Sequence, residues 1–397
     1  EIFKYSKIYE IEDYGNLPQD DKENIKENLA KRNALSQLLH AYTNYTRDVD
    51  YIIDNKKIVI IDQNTGRTKP SSRWANGLHS AIEAKEGLDV QNEYEGFGLI
   101  SAKNFFKLYD KVSGMSGTID QVSSELAEQY GLNTAVLPTH KPCIRKDHIL
   151  KICKNTSKKE TAIIKLIKHV HETGRPILVG CPSVRANERI CTMLEAEGIK
   201  HKQLNAKHLQ NEAMIISKAG EEGAITISTS IAGRGTDIKL TKKARELGGL
   251  YVIGTSMFNS YRVDRQLIGR SGRQGDPGDS QFFTSYSDDI LHNVKYEAES
   301  TYSPDEALSL FMKAQKDKEA KAYKTRIEVA MKDDTTNPFR IKFYKERNSA
   351  LLEESKAAKF IRSFLEESET DEAKVSDHIM ELYKQVKPLV QKILINE

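Results

Sequence analysis

The dipeptide Gly-Lys is absent from this 397-residue sequence, so it contains no Gly-x-x-x-x-Gly-Lys-[Ser/Thr] loop to cradle a nucleotide's phosphates. Charge of one sign is also lacking. The 60 Lys+Arg and 57 Asp+Glu leave a net +3, and no domain-wide basic excess points to nucleic acid as a partner. Long hydrophobic runs are missing, and stretches such as Ile177-Leu-Val-Gly-Cys181 are far too short to cross a bilayer. Cysteine is scarce: Cys143, Cys153, Cys181 and Cys191 form neither a C-x-x-C pair nor a zinc-type cluster, and reduced cytosolic thiols are expected. The first residue is Glu1 and no cleavable signal follows it, so the sequence is read as starting inside a longer polypeptide.

What is present divides by pattern. The length allows about two to three domains at ~150 residues each. A helical pattern runs from about Asp21 to Tyr42, and a strand pair follows at Tyr51–Asp54 and Lys57–Asp62, turning through Asn55-Lys56. From Gly77 to about Pro142 the pattern is mostly helical, including Ala81–Ala84 and Ala102–Val112. The small-residue cluster Ser113–Thr118 interrupts it, and Pro138 and Pro142 bracket a linker. The middle third alternates short apolar runs with amphipathic helices, which predicts an α/β fold with a parallel sheet covered on both faces. Its first helix is read as opening on a capping box, Ser157-x-x-Glu160. Ser303-Pro304-x-Glu306 predicts the start of a long helix reaching Asp333-Asp334, broken at Asn337-Pro338 before a second helix.

The densest chemistry lies in Gln266-Leu-Ile-Gly-Arg-Ser-Gly-Arg-Gln-Gly-Asp276. Arg270 and Arg273 are three apart, a spacing that predicts one helical face, and the glycines allow another surface to come close. Two permanently charged guanidinium forks suit a site that stabilises charge on a transferring phosphoryl group. Arg262 and Gln266 precede Arg270 by eight and four residues and are predicted on the same face. Upstream, Thr229–Ile238 follows the strand predicted at Ala224–Ser228, where open α/β sheets bind ligands outside the carboxyl ends of their strands. Gly233 and Gly235 permit a tight backbone there. Asp237 can accept from a ribose hydroxyl or orient an arginine, and Arg234 can link nucleotide to partner surface.

These residues carry a resemblance. The chain resembles SecA, the preprotein translocase ATPase, over nearly its whole length. The matching segments include Arg47-Asp-Val-Asp-Tyr51, Arg73-Trp-x-x-Gly-Leu-His79, Gly114-Met-Ser-Gly-Thr118, Arg145-Lys-Asp147, Leu204-Asn-Ala-Lys207, Ala232–Ile238 and Gln266–Asp276. The resemblance implies that 1–85 is part of a preprotein cross-linking domain and 86–141 the returning segment of a first nucleotide-binding domain. It implies a second RecA-like nucleotide-binding domain over 142–300 and a helical scaffold and wing region over 301–397. In such a protein ATP and Mg²⁺ sit between two RecA-like domains, the first of which supplies the P-loop and metal-binding carboxylates. Arg270 and Arg273 are then the arginine fingers, and Gly233, Arg234, Gly235, Asp237 and Gln266 face the nucleotide. Gly114, Thr118 and Arg262 couple nucleotide state to motion. The implied partners are an unfolded preprotein, a SecY-type channel and an anionic membrane surface, with a homodimer as a further option and no nucleic acid. The implied location is cytoplasmic and peripheral on the inner face of the bacterial cell membrane.

Departures from the family pattern include Ile268, Ser116, Ile119 and Asp62-Gln-Asn-Thr65, which point to an accessory paralogue. Asp305-Glu306-Ala307 and Asp371-Glu372-Ala373 imitate a metal-binding carboxylate pair by letters only, since neither follows an apolar strand. Two other readings share some of these features: a superfamily-2 nucleic-acid helicase fragment, and a non-hydrolysing preprotein-binding fragment. The first lacks the His-Arg that usually precedes Gly-Arg-x-Gly-Arg and has no aromatic series interleaved with Lys and Arg. Tyr42, Tyr45, Tyr51 and Trp74 are either groove contacts for an unfolded chain or domain core.

Overall fold

The computed structural model describes residues 19–62, 68–92, 98–204, 212–229, 236–292, 294–295 and 302–352. By its contacts the chain forms two compact units, Glu1–Phe97 with Ser113–Ala320 and Gly98–Val112 with Lys321–Glu397.

The first unit opens with helix α1 (Gln19–Asn44) and an antiparallel sheet of β1 (Tyr51–Asp54), β2 (Lys57–Ile61) and β3 (Thr68–Lys69). Asn55 and Lys56 both take positive φ, 48° and 60°, as a two-residue hairpin turn requires. Helix α2 (Leu78–Lys85) closes this part over a core of Ala41, Tyr51, Ile58, Leu78, Ala81 and Ile82. Tyr45 and Trp74 pack against that core, with ring centroids 5.0 Å apart. Tyr51, Tyr45 and Trp74 are thus domain core, and of the four aromatics only Tyr42 is well exposed, at 63%. His79 is structural as well: its Nε2 lies 3.5 Å from Glu83, and Arg73 holds the other carboxylate oxygen of Glu83 at 3.2 Å. Two short helices follow along the chain, α3 (Ala102–Phe106), which belongs to the second unit, and α4 (Ser123–Tyr130) of the first, preceded by a 3₁₀ turn at Ile119–Val122. Helix α3 is shorter than the predicted Ala102–Val112.

A parallel sheet forms the centre of this unit. Along the chain come β4 (Lys146–Asp147), β5 (Lys151–Cys153), α5 (Thr156–Glu172), β6 (Ile177–Cys181), α6 (Val184–Ala196), β7 (Lys202–Leu204), α7 (Glu212–Lys218) and β8 (Ile225–Thr229). Then follow α8 (Lys242–Glu246), β9 (Leu250–Gly254), α9 (Tyr261–Ile268) and β10 (Gly278–Ser285). The strand order is β4-β10-β9-β6-β8-β7, with β5 also paired to β10, and every pairing is parallel. Alternate residues feed two cores. Val179, Ile227, Ile253 and Phe283 meet α5 and α6, while Leu178, Val252 and Phe282 meet Leu267 of α9 and Ala244 of α8. Where α9 crosses the sheet only glycine fits, because a Cβ on Gly180 would stand 2.4 Å from Leu267 Cδ2.

Two predicted local features differ. The cap of α5 is Asn155, whose side chain accepts from Lys158 N at 3.0 Å, and Ser157 lies inside the helix. Glu160 is therefore free of capping and pairs with Arg189 at 2.7 Å.

Helix α10 (Pro304–Leu352) begins on the predicted cap: Ser303 N donates to Glu306 Oε2 at 2.8 Å and Glu306 N to Ser303 Oγ at 3.4 Å. It does not break at Pro338, as the sequence reading expects, but runs 49 residues through it. A proline removes one donor, here the one that Asp334 O would accept from, and side chains brace the helix on either side of it. Thr336 Oγ1 donates to the carbonyls of Lys332 and Asp333, and Arg340 ties Asn337 to Asp333 across the proline. In the second unit, Ser101 and Asn104 of the 98–112 segment also donate to Asp333, and Lys103 pairs with Asp334.

Candidate functional site

The loop carrying Gly233, Arg234 and Gly235 lies outside the described residues. The chain resumes at Thr236-Asp237, and here the structure brings two predicted residues together. Arg273 Nη1 lies 2.6 Å from Asp237 Oδ1. The pair borders a cleft of about 610 Å³ whose other walls include Thr139, His140, Lys141, Cys143 and Gln274. The rule that ligands sit outside strand carboxyl ends locates Thr229 but not this cleft. Helix α9 runs back along the sheet, so its end returns to the amino edge, where Ser271 Oγ donates to Leu250 O at the start of β9 (2.7 Å). Asp237 reaches the same edge with Ile238 and Leu240, which pack into the core beside Leu250.

Arg270 and Arg273 do not share a helical face. Helix α9 ends at Ile268, and Gly269, Gly272 (φ 72°) and Gln274 (φ 54°) turn the chain sharply. Arg270 is consequently turned inward, 8% exposed, while Arg273 points to the cleft. The surface that the glycines admit is the linker before β4. A Cβ on Gly272 would stand 2.8 Å from Arg145 Cβ. Arg145 then donates through Nη1 to the carbonyls of Ile268 (3.3 Å) and Ser271 (3.1 Å) and grips Asp147 with Nε and Nη2. Its hydrogen bond to Asp147 holds that carboxyl below the usual carboxylate range. Arg145 thus locks the turn that presents both candidate fingers, a role the motif match alone did not reveal.

Helix α9 presents the coupling candidates. Gln266 Nε2 lies 3.2 Å from Thr118 Oγ1, and Thr118 is buried. Gly114 is exposed with open space around its Cα, and Arg262 makes no hydrogen bond or ion pair with the described residues. The structure therefore joins Thr118 to Gln266 and leaves Gly114 and Arg262 apart from them. Sequence reasoning missed Arg265, which meets Asp120 at 2.7 Å and Gly117 O at 3.4 Å. Its neighbour Asp264 is buried, accepting from Phe258 N at 3.0 Å and Gln315 Nε2 at 2.6 Å. Burial pushes its carboxyl up to about 7, against those two donors.

The cleft suits phosphate oxygens better than a metal. Arg273 and Lys141 bring fixed positive charge to it and His140 a ring donor. No group of three or more His, Cys, Asp or Glu side chains positioned to hold a metal ion occurs among the described residues. Nor is any described helix long and apolar enough to cross a membrane. All four cysteines are free thiols.

Comparison with known proteins gives the family of the chain. Residues 142–246 and 240–303 match the SecA P-loop domain, and residues 5–83 match the SecA preprotein cross-linking domain. Protein translocase subunit SecA 2 of Clostridioides difficile is 43% identical over 339 residues, covering 81% of this chain and 43% of the relative. Protein translocase subunit SecA of Caldicellulosiruptor saccharolyticus is 42% identical over 337 residues, covering 82% and 40%. That of Thermosipho africanus is 48% identical over 265 residues, covering 67% and 31%. The chain thus spans less than half the length of each of these relatives. Domain 2 of the DEAD-box helicase Mss116p, solved bound to an RNA duplex, aligns over 46% of the chain at 14% identity and a TM-score of 0.31. The α/β sheet is the RecA-like core of a SecA domain, and the chain belongs to the SecA family.

Proposed function

We propose that this chain contributes the second nucleotide-binding domain of a SecA-type motor, in which Arg273 and Arg270 serve the phosphates of ATP. The observation that carries the reading is the Arg273–Asp237 pair on the wall of a cleft that Lys141 and His140 also line. Asp237 orients Arg273 while the cleft is open. Once released, the guanidinium offsets charge that develops on the transferring phosphoryl group. When bound, ATP would supply the anhydride bond to be cleaved and Mg²⁺ would shield its phosphates. Both rely mainly on a P-loop and carboxylates in a preceding domain. Gly233, Arg234, Gly235 and Gln266 complete the nucleotide-facing set. The Gln266–Thr118 hydrogen bond supports a coupling role for the Gly114–Thr118 segment, with Arg262 on the same helix.

On this reading residues 1–85, 86–141, 142–300 and 301–397 are the cross-linking, returning first-motor, second-motor and scaffold regions. The cargo is an unfolded preprotein, and the docking partners are a SecY-type channel and the anionic inner face of the cell membrane. The isolated chain, without a P-loop, hydrolyses no ATP. The test is ATP turnover by the longer protein. Unfolded preprotein with channel-containing vesicles should stimulate it, and RNA or DNA should not. Stimulation by nucleic acid alone would replace this reading with the helicase one.

A further inference from the structure

Three consecutive residues of α9 reach two different parts of the molecule. Successive side chains on a helix point about 100° apart, so neighbours in sequence face different surroundings. Asp264 faces inward and joins Gln315 on α10, which also donates to Phe258 O at 2.8 Å. Arg265 faces outward to Asp120, and Gln266 meets Thr118. Both outward contacts hold one short segment, and Asp120 stands in the 3₁₀ turn that leads directly into α4.

We propose that Arg265 and Asp120 are a positioning pair that latches the Gly117–Val122 segment to α9, and that Asp264 and Gln315 carry the position of that latch to α10. This rests on the proposed motor reading for its purpose but not for its existence. The two ends differ in kind. The outer pair is partly exposed, with 34% and 42% of each side chain accessible, so it opens and closes at small cost. The inner contact is buried on both sides, and removing one partner leaves a polar group without its hydrogen bond, so it transmits rather than switches. A weak outer latch on a helix with a firm inner joint makes the position of α9 depend on whether the relay segment is docked. Arg273 follows, since it lies five residues beyond Ile268, where that helix ends.

Amide hydrogen exchange on the 397-residue chain tests this without any turnover. Arg265→Asp or Asp120→Arg alone should speed exchange across 116–130 by about threefold or more, the scale of an exposed ion pair. Combining both reversals should restore the wild-type rate within twofold. Arg265→Asp should also change exchange at 258–264 and 311–318, and Gln315→Met should speed it at 116–130. Single reversals without effect, or a swapped pair that fails to restore, would overturn the latch. Effects confined to 116–130, with 311–318 unmoved, would overturn its connection to α10. The swapped pair is on the surface and tests the latch even if Gln315→Met does not fold. Failure of ATP turnover in the longer protein would remove the motor reading and leave these exchange results standing.

Discussion

Arg273 and Asp237 are held at 2.6 Å although both side chains keep contact with solvent, 37% and 57% exposed. An ion pair in that setting contributes ~0–1 kcal/mol, so solvent or a competing anion separates it readily. Arg273 is therefore stored next to the cleft rather than locked into the fold. Its partner Arg270, buried in the turn, is the fixed member of the two.

Asp237→Ala should then leave the domain almost as stable as before. Urea unfolding should show a change of less than about 1 kcal/mol. A loss of several kcal/mol would mean that the pair is structural.

The opposite outcome is expected inside the fold. Lys159 and Asp288 pair at 2.5 Å with both side chains under one-tenth exposed, and Ser256, Thr284 and Ser285 also donate to that carboxylate. Lys159→Met leaves a buried charge without its partner and should cost about 3–5 kcal/mol in urea unfolding. A loss under about 1 kcal/mol would contradict the network.

The start of α5 distinguishes two capping residues. Asn155→Ala should destabilise by ~1 kcal/mol, whereas Ser157→Ala should stay within about 0.5 kcal/mol. Equal losses, read from thermal unfolding midpoints, would reinstate Ser157 as the cap.

His79 gives the cross-linking region a pH dependence. Burial, and then the charge of Arg73, hold its imidazole below the ordinary 6.5, with Glu83 acting the other way. The folded value lies below the unfolded one, so the unfolded chain binds more protons as pH falls under about 6.5. This contribution is complete above that pH and is lost as pH falls toward the lowered folded value. A series of thermal midpoints from pH 7.5 to 5 should fall more steeply for wild type than for His79→Gln. Parallel slopes would contradict it.

Much of this was legible from residues alone. Short apolar runs located β6, β8 and β9, because parallel strands buried on both faces are apolar throughout, and amphipathic patterns located helices between them. The Asn55-Lys56 turn and the Ser303/Glu306 cap were readable because each is local. The arginine motif was legible as chemistry and misread as geometry. Spacing alone put Arg270 and Arg273 on one helix, but the conformations at Gly272 and Gln274 depend on the Arg145 segment packing against them. Asp120 and Arg265 meet across 145 residues of sequence, a distance over which no pattern carries information. Pro338 misled for a similar reason, since Arg340 braces the helix across it to Asp333 only once the helix exists.

The central claim concerns Arg273. Single-turnover ATP hydrolysis by the longer protein, comparing wild type with Arg273→Ala, tests it most directly. The account predicts a rate lower by ~10³-fold or more with the fold intact, the scale of a lost arginine finger. An unchanged rate in a folded variant would contradict it, and Arg273 would then be a surface partner of Asp237 and nothing more.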